Sequence, residues 1–306
     1  MKIYINSAKE NWVVDRFISE WNQYNQKQTK NYYFGKKIIW LIAPWTWKKV
    51  PKRQLIRNKV LCTIHHIDED KFDSKEMEDF LDRDKFVDLY HAISENTYNQ
   101  LRKITSKPIE KIPFWVNQNI WFEISSKKSI YEEFKLSPDK YYVGSFQRDT
   151  EGHDLISPKL SKGPDQFIEI VKYLNSNKDN LHIILTGKRR GYIMDQLDKV
   201  NIPYTYFEMI SFEKINKLYN LLDLYIVSSR YEGGPQSILE CALIKTPIIS
   251  TDVGIASEIL SAQSIFGMNN FQNVAPQTEH AFNKVQKYKI PKGFIEFNEV
   301  FRKLSE

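Results

Sequence analysis

A chain of 306 residues and 36.3 kDa, 42% hydrophobic and 27% charged, has the make-up of an ordinary globular protein of about two domains. Its longest apolar run, residues 38–43, is too short to cross a bilayer, and the sequence turns polar after residues 2–5, before a signal-peptide core forms; a cytoplasmic location is expected. Cys62 and Cys241 both lie in apolar runs, which excludes a disulfide framework or a cysteine metal site. The formal charge of +6 resides entirely in residues 1–120, with 21 basic and 15 acidic side chains, while residues 121–306 hold 23 of each.

In chain order, short apolar runs bounded by polar punctuation predict strands at 2–5, 37–43, 59–64, 89–94 and 109–116. Val13, Phe17, Ile18 and Trp21 recur at helical spacing between the first two, and residues 95–104 form a further helix. The most basic stretch centres on residues 45–57, with 13 basic against 3 acidic side chains in residues 1–60. Two tryptophans among those cations suit an anionic membrane surface, a phosphate-bearing lipid or a nucleic acid. A solvated loop explains the same composition, and both readings stand. A polar stretch at 123–129 marks a domain boundary near 117–125. Strands then follow at 141–146, 182–187, 203–207, 224–229, 247–251 and 264–267. Gly163-Pro164 opens one intervening helix, and Ser211 caps another whose apolar stripe is Phe212, Ile215, Leu218 and Leu222. Strand–helix alternation of this kind gives an α/β fold of two Rossmann-like domains, each a parallel sheet with helices on both faces.

Such sheets bind ligands at the carboxyl ends of their strands. The richest strand end runs from Leu224 through Ser228, Ser229, Arg230, Tyr231, Glu232, Gly233, Gly234, Pro235, Gln236 and Ser237 to Glu240. Adjacent glycines let backbone amides approach a ligand, and the helix start near Pro235 favours a phosphate. Glu232 and Glu240 can face one cleft, where carboxylates beside a phosphate call for hydroxyl groups such as those of a sugar or ribose. A plain turn before a capped helix accounts for the spacing equally.

Glu232 and Glu240 resemble the E-x7-E signature of glycosyltransferase family 4, the retaining GT-B enzymes also called group 1 glycosyltransferases. The likeness extends over about 40 residues, through Tyr219–Leu224, Ser229–Gly233, Thr246–Thr251, Val253-Gly254 and Glu258-Ile259. Gly144 to Arg148, followed by Lys162-Gly163, is similar to the family's Gly-Arg and Lys-Gly pair. Leu185-Thr186-Gly187 resembles the strand end near the nucleobase, with Lys188, Arg189 and Arg190 adding charge. His65 ends a first-domain strand as does the family histidine that contacts the transferred sugar, with His66 in reserve. Pro113 to Asn117 is similar to the segment that closes the family's first domain.

The resemblance implies two domains facing a cleft: residues 1–120 on the acceptor side, residues 121–285 for the nucleotide sugar, and residues 286–306 as a helix crossing back. It implies a retaining hexosyltransferase that needs no metal or other cofactor and uses a nucleoside-diphosphate sugar as donor. The implied acceptor is a surface polysaccharide or lipid-linked glycan. Glu232 and His65 become the catalytic candidates. Glu240 is assigned to the ribose, Gly233 and Gly234 to the sugar through their amides, Gly187 to the base end, and Arg148, Lys162 and the helix start near Ser237 to the diphosphate.

Several positions depart from the family pattern. Ser145 stands where its arginine is expected, so Arg148 is displaced by three places, and a long insertion precedes Lys162. Ser7-Ala8-Lys9-Glu10-Asn11-Trp12 replaces the glycine-rich loop after the first strand, while Lys245 and Ile255 replace glycines. Asp68-Glu69-Asp70 has a manganese-binding form but sits in an acidic stretch that reads as a solvated helix. The competing functions are a nucleic-acid-binding protein that uses the basic first domain, a GT-B enzyme that glycosylates DNA, and a sugar-nucleotide epimerase.

Overall fold

The computed structural model describes residues 2–10, 13–30 and 37–306. Asn11 and Trp12, part of the segment replacing the glycine-rich loop, lie outside the described residues. The described chain divides into two compact units, Met1–Trp115 with Tyr288–Glu306, and Val116–Lys287.

The first unit contains β1 (Ile3–Ile5), α1 (Val13–Tyr24), β2 (Thr29–Lys30), β3 (Ile38–Leu41), α2 (Lys52–Arg57) and β4 (Lys59–Ile64). It continues with α3 (Ser74–Asp84), β5 (Leu89–Ala92), α4 (Glu95–Leu101) and β6 (Ile109–Lys111). All its strands pair in parallel, in the order β2-β1-β3-β4-β5-β6. The runs predicted at 89–94 and 109–116 stop early, at Ala92 and Lys111, because only those residues find a ladder partner.

The second unit holds α5 (Lys128–Phe134), β7 (Tyr141–Ser145), α6 (Pro164–Asn177), β8 (Leu181–Thr186), α7 (Gly191–Lys199) and β9 (Tyr204–Phe207). Then come α8 (Phe212–Leu221), β10 (Leu224–Val227), α9 (Gln236–Leu243), β11 (Ile248–Thr251), α10 (Ala256–Ile259), β12 (Ile265–Phe266) and α11 (Thr278–Val285). Its sheet is parallel as well, in the order β12-β11-β10-β7-β8-β9. Each sheet is thus six-stranded among the described residues. The strand order reverses where β7 lies beside β10, the position at which open parallel sheets bind ligands. Among the described residues no helix is long and apolar enough to cross a membrane.

Local chemistry sets the helix ends. Ser211 accepts the N–H of Lys214 at the start of α8, and Pro164 opens α6 without losing a needed donor. Lys245 follows α9 in the left-handed region (φ 58°), where a glycine would sit without strain; its ammonium is held by Glu279 at 2.8 Å.

Residues 288–305 do not make one helix. Short turns at Gln286–Tyr288 and Lys292–Phe294 precede α12 (Ile295–Ser305). This helix supplies Phe297, Val300 and Phe301 to the core of the first unit. Trp21 sits at the centre of that core, 5.5 Å from Trp40 and 5.3 Å from Phe301 between ring centroids. The Trp115 indole donates to Glu20 Oε2 at 2.7 Å, so a wide aromatic is buried without an orphaned N–H.

A polar thread crosses the same core. Trp40 Nε1 donates to Thr63 Oγ1 at 2.8 Å, Thr63 meets His91 Nδ1 at 2.9 Å, and His91 Nε2 meets the Ile112 carbonyl at 2.6 Å. A carbonyl can only accept, so His91 carries its proton on Nε2 and accepts from Thr63 on Nδ1. Burial pushes His91 down to about 3, because a second proton would leave a charge without solvent. The unfolded chain therefore binds a proton at His91 that the native chain refuses. Stability is fully present above pH 6.5 and should fall as the pH drops towards 4, by about 1.4 kcal/mol per pH unit from this group. Urea unfolding between pH 7.5 and 4.5 measures the slope, and His91→Gln should reduce it, leaving the part that buried His65 contributes in the same direction; equal slopes in both proteins would refute the assignment.

Candidate functional site

The loops after β7 and β10 flank the reversal of the second sheet, and they are fastened to each other. The N–H groups of Arg230 and Tyr231 both donate to the Ser161 carbonyl, at 2.9 and 3.1 Å. The Arg230 guanidinium grips Asp165 with two bonds of 2.8 and 2.7 Å, a fork-on-carboxylate geometry that fixes orientation. Gly163 makes the close approach feasible: it lies at φ 59°, and a Cβ there would fall 1.7 Å from the Ser228 carbonyl oxygen.

This fastening brings Lys162 to Glu232 across 70 residues of sequence. Lys162 Nζ donates directly to Glu232 Oε1, and both side chains are 14% exposed. Gln147 braces the pair. Its Nε2 donates to the Lys162 carbonyl at 3.0 Å, while its Oε1 lies 3.2 Å from Ser229 Oγ. Ser229 Oγ is also 3.4 Å from Glu232 Oε1, so its single proton serves one acceptor at a time. Gln147 and Ser229 were not predicted as site residues; neither contact is visible before the two loops are known to meet.

Gly233 and Gly234 continue the loop into α9. Gly254, at φ 55°, packs on them so closely that a Cβ would lie 2.3 Å from the Gly233 carbonyl and 2.9 Å from the Gly234 nitrogen. Ser237 lies in the first turn of α9, and the Tyr225 hydroxyl accepts the Phe146 N–H at 3.1 Å. Glu240 lies deeper in α9 at 5% exposure, where the Tyr219 hydroxyl donates to its Oε2 at 3.1 Å. Burial, with Tyr225 and Glu240 as neighbours, pushes the Tyr219 phenol well up, so it stays a donor at any ordinary pH.

Gly187 closes β8 at φ 88°, and its carbonyl accepts from the Tyr206 hydroxyl at 2.9 Å. Arg148 is half-buried beyond β7, its Nε enclosed without a hydrogen-bond partner. The structure thus joins Lys162 to Glu232 and packs Gly233 and Gly234, next in the chain, against Gly254. It places Glu240, Ser237, Gly187 and Arg148 on neighbouring strand ends and helices of the same unit.

His65 belongs to the first unit, at the end of β4. Its Nε2 donates to the Ile42 carbonyl at 2.8 Å, and its ring stacks on Phe114 at 5.8 Å. Burial pushes it down to about 4, so at neutral pH it is an uncharged imidazole with Nδ1 as acceptor. Asp68, Glu69 and Asp70 precede α3 on a turn, where Glu69 accepts from Gln100 Nε2 at 2.9 Å. No group of three or more His, Cys, Asp or Glu among the described residues is arranged to hold a metal ion.

The basic stretch of the first unit divides its two tryptophans. Trp47 is buried and donates to Asp79 Oδ2 at 3.2 Å, whereas Trp45 is 50% exposed. Lys49, Lys52, Arg53 and Arg57 are exposed beside it, with Ile56 at 72%. Lys48 is tied to Asp79.

Residues 157–288 match the model of the family described as Glycosyl transferases group 1; all but the last of them lie in the second unit. The lipopolysaccharide core biosynthesis mannosyltransferase LpsB of Rhizobium meliloti (strain 1021) is 25% identical over 136 residues. That alignment covers 42% of this chain and 36% of the relative, about a third of its length. Among solved structures, Anabaena Alr3699/HepE in complex with UDP and glucose superposes with a TM-score of 0.76 at 13% identity, covering 99% of this chain and 100% of that one. The sucrose-phosphate synthase (tll1590) from Thermosynechococcus elongatus gives 0.71 at 14% identity, covering 95% and 78%. A glycosyltransferase from Rickettsia africae ESF-5 gives 0.64 at 14%, covering 98% and 84%. At such identities the likeness shows the fold, and the architecture is that of GT-B glycosyltransferases.

Gly254→Ala tests whether the glycine contact shapes the loop. The added methyl must displace Gly233 and Gly234, and the strained backbone should cost about 1–3 kcal/mol, read as a lower urea midpoint. An unchanged midpoint would mean that the loop is not held by this contact.

Proposed function

We propose that this protein is a retaining glycosyltransferase that moves a sugar from a nucleoside-diphosphate sugar to a glycan or lipid-linked acceptor. The observation that carries the reading is the Lys162–Glu232 contact, held by two fastened loops at the strand reversal, inside the segment that matches the family model. A lysine and a carboxylate side by side at strand ends suit a ligand with an anionic half and a hydroxyl-rich half. Lys162 and Arg148 would neutralise the diphosphate, whose negative charge grows as the sugar departs. The N-terminus of α9 at Ser237 favours the same anion. Glu232 and the amides of Gly233 and Gly234 would hold the transferred sugar, Glu240 the ribose hydroxyls, and Gly187 the base end. His65 keeps the sugar-contacting role that the resemblance implies, through its unprotonated Nδ1. Charge neutralisation by side chains makes a metal unnecessary in this reading. The relative's name, a mannosyltransferase of lipopolysaccharide core biosynthesis, supports a hexose and a surface polysaccharide as the substrate class.

A thermal-shift panel of UDP, GDP, ADP and CMP with their sugars, with and without EDTA, tests the donor site. One nucleotide should stabilise the protein, by about 2.7 kcal/mol at a hundredfold excess over its dissociation constant, with no effect of EDTA. Glu240→Ala should lose that shift. Glu232→Gln should lower turnover about 100-fold without weakening nucleoside-diphosphate binding, since Lys162 is released. Stabilisation by none of the nucleotides, or full turnover in Glu232→Gln, would sink the reading.

A peripheral contact with an anionic membrane, on the inner face, completes the proposal for the first unit. Exposed Trp45 and Ile56 among Lys49, Lys52, Arg53 and Arg57 combine apolar anchors with cations, each worth about 1 kcal/mol near an anionic surface. Neutralising these four cations should abolish co-sedimentation with phosphatidylglycerol vesicles. Retained co-sedimentation would make the stretch a solvated loop.

A further inference from the structure

An ion pair beneath the strand ends of the second unit has no part in the donor contacts above. Arg190 precedes α7 with its side chain fully buried, and Asp149 is 1% exposed; Nε and Oδ2 are 2.9 Å apart. Nη2 of Arg190 lies 3.5 Å from Ser145 Oγ at the end of β7, and Nη1 has no hydrogen-bond partner. Burial pushes the Asp149 carboxyl up, while the guanidinium and the N–H groups of Ile193 and Tyr192 pull it down. Removing both ions from water costs more than most buried pairs return, and apolar residues of similar volume often fold as well or better. Core stability is therefore a poor reason for this pair.

Its neighbours give a better one. The Asp149 N–H donates to the Arg189 carbonyl at 3.0 Å, and the Asp149 carbonyl accepts the Lys159 N–H at 2.7 Å. Thr150 Oγ1 donates to the Arg189 carbonyl at 3.2 Å, and Asp149 Oδ1 accepts the Tyr192 N–H at 3.2 Å. The first end of the excursion at 149–159 is thus pinned to the start of α7, and its second end closes back onto Asp149. Gln147 and Arg148 lie immediately before the excursion, and Lys162 three residues after it.

We infer that Arg190 and Asp149 are a positioning pair for the anion site, setting Arg148 and Lys162 at the spacing that a diphosphate requires. The inference rests on the donor reading.

The test is Arg190→Met combined with Asp149→Leu in the full chain, with calorimetric titration of nucleoside mono- and diphosphates. Thermal stability should be kept or raised, while the preference for diphosphate over monophosphate falls at least about tenfold. A purely structural pair would weaken both ligands alike or neither. If the double variant does not fold, Arg190→Lys, which keeps the charge and loses the planar fork, should lower the same ratio. An unchanged ratio in a folded variant overturns the inference alone. A wild-type protein that binds none of the nucleotides overturns it together with the donor reading.

Discussion

The candidate site depends on one close approach, that of the loop ending at Gly163 to the loop beginning at Ser228. Two amides converging on the Ser161 carbonyl and a forked Arg230–Asp165 bridge hold the loops together. Without that fastening, Lys162 and Glu232 would be two solvated side chains with no reason to meet. With it, each is mostly withdrawn from water, where a charge exerts a stronger field than at the surface. The site is therefore built by backbone geometry first and by its charged groups second. The glycines at 163 and 254 mark where a side chain would have kept the backbones apart.

Both units bury polar groups. In the first, a single thread from Trp40 through Thr63 and His91 to Ile112 satisfies each partner, and the surrounding aromatic rings exclude water from it. Such a thread is rigid and pH-sensitive. In the second, the buried polar groups next to the carboxyl edge of the sheet include some left without a partner, as at Nη1 of Arg190 and Nε of Arg148. Incomplete pairing is costly in a core and useful at a binding edge, where a ligand can supply the missing partner.

The fold was legible because its signals are local. Period and punctuation placed every long strand of the second sheet within a residue or two, and serine and proline chemistry marked the starts of α8 and α6. Two-residue β2 carried no pattern to read, and the runs at 89–94 and 109–116 overran because apolar character continues after the ladder ends. The contacts of the candidate site were less legible. Glu232 and Glu240 stand out from their spacing and family likeness, but the partnership of Glu232 with Lys162, and the bracing by Gln147, arise from loop fastening over 70 residues. Trp45 and Trp47 show the same limit: two positions apart and chemically identical, one is core and the other surface, which only packing decides.

The placement of α12 has a consequence for how the chain is made. Phe297, Val300 and Phe301 complete a core in which Trp21 and Trp40 emerge from the ribosome more than 250 residues earlier. Throughout synthesis of the second unit the first must wait with an apolar face uncovered, a state prone to association with other nascent chains. The second unit has no such debt, since all its strands are contiguous in sequence. Translation order and folding order are thus opposed in this protein: the part made first is the part finished last.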